Sequence, residues 1–229
     1  MRGKTVVFLG ICVLVSGCAN SISSAESTRP TRTMIPRPLV ERELSDLLLA
    51  PEQLAAEMAV PALTVTESQS AMSDNSAIMA PRECLAVDGA AELGVYADSG
   101  FRADRDQSLN DGTPEKPFTN YVKQAVVLFP YLEKAAEFFE ASVRQWPDCH
   151  EYTHTQSGTQ WTVGPITVED ATMSTVATQR DAAAPGWACG RALMQRNNVI
   201  VDVNTCSADP GDSAVRIARQ IGANIDAAW

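Results

Sequence analysis

The segments 191–196 and 199–203, which flank Asn197-Asn198, constrain the fold more strongly than any other feature of the sequence. Asn tolerates the positive φ angle that a two-residue turn demands, so the pair predicts a tight antiparallel hairpin. Cys189 and Cys206 stand at equal distances from this turn and therefore face each other across the hairpin. Counting alternate rungs outward puts them at a non-hydrogen-bonded rung, where Cα atoms lie about 4.5 Å apart, within the range of a disulfide. The hairpin thus predicts a Cys189–Cys206 bridge.

The cysteine content is consistent with two disulfides. Of the six cysteines, Cys12 and Cys18 belong to an N-terminal segment treated separately below, and the others lie further along the chain. Their number is even, and an oxidising compartment favours pairing all of them. Several connectivities are possible for such a set, but the hairpin favours the one that leaves Cys84 with Cys149. The alternative is that all four of these cysteines are free thiols, which we expect only in a reducing cytoplasm.

The first 18 residues have the layout of a bacterial lipoprotein signal peptide. Arg2 and Lys4 form a short basic region, and an uncharged, mostly apolar run follows over residues 5–15. This run is about eleven residues long, whereas a membrane-spanning helix needs roughly twenty. It leads into Val-Ser-Gly before Cys18, which resembles a lipobox. We therefore predict a signal peptide over residues 1–17, with N-acyl and S-diacylglycerol groups on Cys18. The alternative is an ordinary secretory signal peptide with a chance cysteine.

The segment 18–40 is rich in Ser, Thr, Pro and Arg and has almost no apolar periodicity, which favours a flexible tether. A structured but irregular arm is the alternative. A single acyl chain binds membranes only marginally, whereas the several chains of a lipidated cysteine anchor a protein stably. We therefore expect the globular part, residues 41–229, to be held by lipid on the extracytoplasmic face of the cell membrane.

The charge balance excludes one class of partner. The sequence carries 18 Lys and Arg against 28 Asp and Glu, a net charge of −10. Binding to the phosphate backbone of a nucleic acid requires clusters of Lys and Arg, and the sequence has none. We therefore expect no nucleic-acid partner. The globular part is large enough for one domain with its own core.

Periodicity along the chain predicts helices around a meander of antiparallel strands. Helices are expected at residues 44–48, 51–58, 82–93, 131–146 and 210–228. A polar, unpatterned loop is expected at 67–81. Strands are expected at 101–109, 121–129, 151–156, 160–168 and 171–178, and on both sides of the Asn197-Asn198 turn. The predicted fold class is α+β: a single domain with a central antiparallel sheet, flanking helices and two disulfides.

Both histidines fall in His150-Glu151-Tyr152-Thr153-His154, which matches the H-E-x-x-H pattern of zinc peptidases. On a helix the two imidazoles share one face and bind Zn²⁺, while the glutamate acts as general base toward the metal-bound water. Here Pro147 and Cys149 precede the motif, and β-forming residues run through it toward Gly158. In a strand the histidines would lie about 13 Å apart, too far to share a metal. We therefore predict no metal site, with His150 and His154 as the ligands of a minor zinc-metallopeptidase alternative.

Other catalytic patterns are missing from the sequence. It contains no G-x-S-x-G elbow, no Gly-rich phosphate loop and no S-x-x-K before an S-D-N. Paired cysteines do not act as nucleophiles. We therefore predict that the chain is not an enzyme, has no catalytic residues and needs no cofactor. Trp146, Trp161 and Trp187 are candidates for lining a ligand cleft, although packing beside the disulfides is the favoured interpretation of them.

Several stretches along the chain together form a recognisable pattern. They are L-L-L-A-P at residues 47–51, Q-A-V-V-L-F-P at 124–130, W-P-D-C at 146–149, G-W-A-C-G-R-A-L at 186–193, and N-N-V-I-V-D-V at 197–203. With these segments, the chain from about Leu44 to Ile225 resembles the PknH-like extracellular domain. That domain occurs as the sensor of a mycobacterial receptor serine/threonine kinase and in free-standing mycobacterial lipoproteins.

The resemblance implies a single α+β domain, disulfides in the order first–second and third–fourth, and a cleft that takes an unidentified ligand. It also implies a strand after the second cysteine, which weakens the zinc interpretation of His150 and His154. We therefore expect an extracytoplasmic lipoprotein of the mycobacterial cell envelope with a non-catalytic, ligand-binding or sensor-like domain. Its partner would be a small-molecule, lipid or glycan ligand, or a protein. The alternative is a structural or protein-interaction envelope lipoprotein without a small-molecule site.

Overall fold

The computed structural model describes Gly3 and residues 37–228. The rest of the predicted signal peptide, Cys18 and most of the predicted tether lie outside the described residues. Within residues 37–228, ten antiparallel strands form one sheet. The strands are β1 (Thr64–Gln69), β2 (Met79–Ala80), β3 (Ala103–Asn110), β4 (Tyr121–Leu128), β5 (Glu151–His154), β6 (Thr159–Val163), β7 (Thr167–Glu169), β8 (Thr172–Gln179), β9 (Ala188–Arg196) and β10 (Val199–Ser207). Their order is β1-β3-β4-β10-β9-β8-β6-β5-β2, and β7 pairs with β8 outside this path.

Helices cover both faces of the sheet. The α-helices are α1 (Pro51–Glu57), α2 (Leu85–Asp88), α3 (Leu93–Tyr96), α4 (Leu132–Gln145) and α5 (Ser213–Ala227). Short 3₁₀ helices span Glu41–Leu47, Ser76–Ile78, Arg82–Cys84 and Trp146–Asp148. The two longest helices are amphipathic: α4 buries Ala135 and Phe139, and α5 buries Ile217, Ile221 and Ile225.

The predicted hairpin is formed by β9 and β10. Their register pairs Arg196 with Val199 and Cys189 with Cys206, and Asn197 in the turn has a φ of 50°. β10 is buried along its whole length because each face of the sheet has its own core. Ile200 belongs to the core beneath α4, whereas Val201 belongs to the core beneath α5. The strand therefore lacks the alternation of apolar and polar residues that a half-exposed strand would have.

Both disulfides lie in the core beneath α4, which also contains α2 and α3. The bridges join Cys84 to Cys149 and Cys189 to Cys206. We call this side of the sheet the disulfide face. The structure confirms the predicted α+β class: one antiparallel sheet with flanking helices and two disulfides.

The structure differs from the predictions between residues 64 and 93. The predicted loop at 67–81 contains the end of β1 and all of β2. β1 is an edge strand with exposed side chains, so no apolar periodicity marks it. The predicted helix at 82–93 is instead a 3₁₀ turn followed by α2 and α3. The break comes where Ala91 has a φ of 52° and its amide donates to the buried Asp202, a contact that only the tertiary fold provides.

Two predicted boundaries are also wrong. The strand predicted at 160–168 is divided into β6 and β7, because Pro165 between them has no backbone N–H for a ladder. The last residues of the predicted tether, 37–40, are bound to the domain. The Leu39 side chain is 2% exposed, and its backbone exchanges hydrogen bonds with the Asn198 side-chain amide at 2.8 and 3.1 Å. The folded part therefore includes residues 37–40, which the sequence assigned to the tether.

Candidate functional site

The H-E-x-x-H motif lies in a strand. β5 holds its last four residues, and the exposed His150 directly precedes the strand. Glu151 pairs with Arg180, and His154 Nε2 lies 2.9 Å from Asp88 Oδ1. Among residues 37–228, no group of three or more His, Cys, Asp or Glu side chains is arranged to hold a metal ion. The motif therefore does not have the helical geometry that zinc-peptidase chemistry requires.

The three candidate tryptophans do not share a cleft. Trp146 is 1% exposed and lies beneath the guanidinium of Arg191, whose Cζ is 5.2 Å from the ring centroid. Trp161 is buried and stacks on Tyr152 with 5.9 Å between ring centroids. Trp187 lines an apolar pocket of about 440 Å³, and Trp161 borders a separate, smaller pocket of about 190 Å³. Trp146 and Trp161 are thus packing residues of the core.

A polar cleft of about 290 Å³ opens on the disulfide face. Its floor comes from β3, β4 and β10, and it reaches the Cys189–Cys206 disulfide. One wall is the segment that follows α2, a second is the irregular chain around Ser73, and His154 of β5 closes a third side. Elements that are distant in the sequence therefore meet around one concave, polar surface.

A single row across the sheet supplies the floor of this cleft. The strand register places Glu67 of β1 opposite Ser108 of β3, Ser108 opposite Lys123 of β4, and Lys123 opposite Asn204 of β10. We call these four residues the polar row. Residues that face each other on neighbouring strands point to the same side of a sheet, and neighbouring strands lie about 4.8 Å apart. The row therefore presents carboxylate, hydroxyl, ammonium and amide groups in that order.

Lys123 is a buried cation that has one loosely bound charged partner among residues 37–228. Its side chain is 8% exposed, and its ammonium lies 3.4 Å from Oδ1 of the fully buried Asp106. A charge-assisted N–H···O bond is typically about 2.7–2.9 Å long. Neither carboxylate oxygen of Asp106 accepts a hydrogen bond from the described residues. Burial raises the pKa of Asp106 above its ordinary value, and the positive charge of Lys123 opposes that rise.

Glu92 is the most buried acidic residue that lines the cleft, at 5% exposed. Both of its carboxylate oxygens accept hydrogen bonds from Asn75, one from the backbone amide at 2.9 Å and one from the side-chain amide at 2.8 Å. Burial raises the pKa of Glu92, although the bonds from Asn75 favour the ionised form. The two residues hold one wall of the cleft together.

His154 and Asp88 join β5 to the end of α2 at the cleft. The bond between them raises the pKa of His154, and partial burial of the imidazole opposes the rise. The backbone carbonyl of Asp88 also accepts a hydrogen bond from Asn204 Nδ2 at 3.1 Å. Asp88 therefore connects the end of α2 to the cleft floor through Asn204 and to β5 through His154.

A buried network beneath the cleft fixes the segment from α2 to α3. The Arg191 guanidinium bonds Asp202 Oδ1 at 2.7 Å and donates to backbone carbonyls at the end of α2. Asp202 Oδ2 accepts hydrogen bonds from Tyr96 Oη and the Ala91 amide, both at 2.9 Å. Burial next to Asp202 raises the pKa of Tyr96 well above its ordinary value, so the phenol stays a neutral donor. A buried ion pair with this many partners holds its surroundings in one arrangement.

Comparison with known proteins identifies the family. The model of the PknH-like extracellular domain matches residues 39–224, which is most of the chain. The chain belongs to the PknH-like extracellular domain family. The resemblance predicted from the sequence is thereby confirmed.

The relatives of this PknH-like chain include mycobacterial kinases. The serine/threonine-protein kinase PknH of Mycobacterium bovis is 30% identical over 215 residues, which cover 92% of this chain and 35% of the kinase. PknH of Mycobacterium tuberculosis is also 30% identical over 215 residues, which cover 33% of that kinase. The chain therefore spans about a third of the length of these curated relatives.

A solved structure shares the PknH-like fold. The crystal structure of the extracellular domain of PknH from Mycobacterium tuberculosis matches with a TM-score of 0.77 and 28% sequence identity. The match covers 83% of this chain and 98% of that domain. The described part of this chain is therefore an extracytoplasmic type of domain. No helix within residues 37–228 is both long and apolar enough to cross a bilayer.

Sequence reasoning missed the residues that build the cleft of this PknH-like domain. Lys123 had a detectable signal, because it is a charge within the otherwise apolar run of β4, where a charge is rarely buried without a purpose. Asp88 and Glu92 had none, since the predicted helix at 82–93 hid the turn that directs them into the cleft. Glu67 lies in the strand that the sequence assigned to a loop.

Proposed function

We propose that this chain is a membrane-anchored extracytoplasmic lipoprotein whose PknH-like domain is a non-catalytic, ligand-binding and sensor-like domain. The proposal is carried by one observation: the polar cleft contains a buried, loosely paired Lys123. Burying a charge without full hydrogen bonding reduces stability, so such groups in a concave site are typical of binding sites. The cleft volume of about 290 Å³ lies just below the range of roughly 300–1,000 Å³ that is typical of small-molecule sites. A small polar ligand fits this site better than a lipid does.

The anchor rests on the sequence around Cys18 and on the family. The lipobox-like residues before Cys18 place a lipidation site at the end of an apolar leader. Membership of an extracellular domain family agrees with export of the chain. Intact mass spectrometry of the membrane fraction tests the anchor: we expect the mass of a chain that begins at Cys18 and carries acyl groups. Cys18→Ala should abolish both the added mass and the membrane association, and an unmodified, soluble wild-type chain would contradict the anchor.

The non-catalytic assignment is supported by what faces the cleft. Asp88, His154 and Thr159 form a hydrogen-bonded chain of a carboxylate, an imidazole and a hydroxyl, as in a catalytic triad. The distance between His154 Nδ1 and Thr159 Oγ1 is 3.3 Å. Thr159 does not line the cleft, however, and its hydroxyl also accepts a hydrogen bond from Trp161. The cysteines beside the cleft are bridged and are not nucleophiles. The side chains that line the cleft are therefore suited to binding a ligand and not to catalysis.

Native mass spectrometry of the full-length protein, extracted from its own envelope in mild detergent, tests ligand binding. We expect a co-purifying small molecule that is lost on mild activation. Its occupancy should fall when Ser108 on the cleft floor is replaced by a bulky residue, as in Ser108→Leu. A protein that carries no such molecule, and that binds none from an extract of its own envelope, contradicts the proposal.

A second candidate is an interaction lipoprotein, and the apolar pocket beside Trp187 favours it. Phe118 is 46% exposed, and its ring lies 6.1 Å from that of Trp187. Exposed aromatic side chains around a concavity are common in protein interfaces. If cross-linking through this pocket captured an envelope protein while the polar cleft bound nothing, the interaction function would replace the sensor-like one.

A further inference from the structure

We infer that the ligand of the polar cleft is a small zwitterion of the amino-acid type, with its anionic group on Lys123 and its cationic group on Glu67. This inference rests on the proposed function, because it names the class of molecule that the same cleft would take. Three features carry it: an under-bonded buried cation, an unpaired carboxylate in the same row, and the fixed pairing of the other charges around the cleft.

The first feature is the state of the Lys123 ammonium. It has three N–H donors, and among the described residues its charged partner is Asp106, at 3.4 Å. Lys123 lines the cavity, so a ligand oxygen can approach this side chain from the open side. A ligand carboxylate would form a short charge-assisted bond with this ammonium, which no group within the described part of the chain now does. A neutral hydroxyl on the ligand would form a weaker hydrogen bond with the ammonium than a carboxylate does.

The second feature is Glu67 at the rim. Its side chain is exposed, lines the cleft, and forms no ion pair or hydrogen bond within residues 37–228. Two strand spacings separate its Cα atom from that of Lys123, which is roughly 10 Å. Ser108 lies between them, with its hydroxyl bonded to Tyr121 Oη at 3.1 Å. The polar row thus offers a negative and a positive group to the two ends of one small molecule.

The third feature is that the remaining charges at the cleft already have partners. Glu92 accepts two bonds from Asn75, and Asp88 is paired with His154. A purely anionic ligand would bring a second negative charge close to Glu67 and Glu92. A purely cationic ligand would meet the ammonium of Lys123 on the floor. A molecule with one charge of each sign satisfies both ends of the row.

Calorimetry on the full-length protein in detergent tests the inference with defined probes. The probes are a panel of L- and D-amino acids, each paired with the amine that lacks its carboxylate and the acid that lacks its amine. We expect at least one amino acid to bind, and both of its singly charged analogues to bind at least tenfold more weakly. Competition with the molecule found by native mass spectrometry would place both at the same site.

Substitutions in the polar row test which residue binds each charged group of the ligand. Glu67→Gln should weaken binding of the amino acid at least tenfold, whereas it should not weaken binding of the matched acid, whose repulsion by the Glu67 carboxylate it removes. The double variant Lys123→Met with Asp106→Asn, which also removes the buried carboxylate that Lys123 neutralises, should weaken both. Glu52→Gln, at an exposed position of α1 on the opposite face, is the matched control and should change neither. Thermal unfolding of each variant separates loss of binding from loss of fold.

The outcomes distinguish this inference from the proposed function. If no amino acid in the panel binds, the inference that the ligand is a zwitterion is wrong. It is also wrong if Glu67→Gln leaves the affinity for the amino acid unchanged. If a neutral or singly charged molecule from the envelope binds the cleft instead, the proposed function stands and only the ligand class is wrong. If no molecule of any charge binds, the proposed function fails with it.

Discussion

The imidazole of His154 and the carboxylate of Asp88 are hydrogen-bonded across the mouth of the polar cleft, with 2.9 Å between Nε2 and Oδ1. This bond raises the pKa of His154 above its ordinary value of about 6.5. A raised pKa in the folded state stabilises the protein fully below the unfolded pKa, and the effect is lost as pH rises through the folded value. We therefore expect the pair to stabilise the domain at pH 5.5 and not at pH 8.5.

Urea unfolding at these two pH values measures this effect. Because both side chains are partly exposed, we expect a loss of at most about 1 kcal/mol between pH 5.5 and 8.5 that is absent in His154→Gln. His150→Gln, at the exposed position that precedes β5, is the control and should behave as the wild type. Identical pH profiles for His154→Gln and the wild type would show that the pair contributes nothing to stability.

The Arg191–Asp202 pair makes a second prediction, because both side chains are almost completely buried. Arg191→Met leaves the carboxylate of Asp202 without its charged partner and leaves carbonyls at the end of α2 without a donor. We expect the free energy of unfolding to fall by about 3–5 kcal/mol, as for other broken buried pairs. Arg102→Met, at an exposed position, should change it by less than about 0.5 kcal/mol. A fall below about 1 kcal/mol for Arg191→Met would contradict this account of the network.

How far the sequence predicts this fold depends on whether its signals are local. The hairpin, its cysteine pair and the helices α4 and α5 follow from turn chemistry and from periodicity within one segment. β1 cannot be predicted in this way. Thr64–Gln69 is an exposed edge strand, so it has no buried face that would show as alternating apolar residues in the sequence. The cleft could not be predicted either, since Glu67, Lys123 and Asn204 are brought into one row by strand order. That order depends on long-range pairing.

The two disulfides should stabilise the domain unequally. Cys84–Cys149 closes a separation of 65 residues and Cys189–Cys206 one of 17. Chain-entropy estimates give upper values of about 4 and about 3 kcal/mol, respectively. Paired Cys→Ala variants, compared by chemical denaturation, measure each loss. A larger loss from removal of Cys189–Cys206 would mean that its position beside the cleft matters more than the length of its loop.

Asn198 makes a fourth prediction about the start of the folded domain. Its fully buried amide accepts from the Leu39 amide and donates to the carbonyls of Leu39 and Phe129. Asn198→Ala leaves these buried backbone groups without partners, so we expect a loss of about 2–4 kcal/mol in stability. Amide hydrogen exchange should also accelerate at Leu39 more than in the centre of α5. Equal acceleration at both positions would mean that residues 37–40 are not held by this contact.

The hairpin of β9 and β10 is closed at one end by its turn and at the other by Cys189–Cys206, so the two strands form a covalent ring. Such a ring cannot fray from either end. We therefore expect Arg191 and Asn204, which face each other inside it, to keep their alignment when the surrounding helices detach. We expect this side of the cleft floor to remain formed during partial unfolding, as a template onto which α2 and β4 dock again.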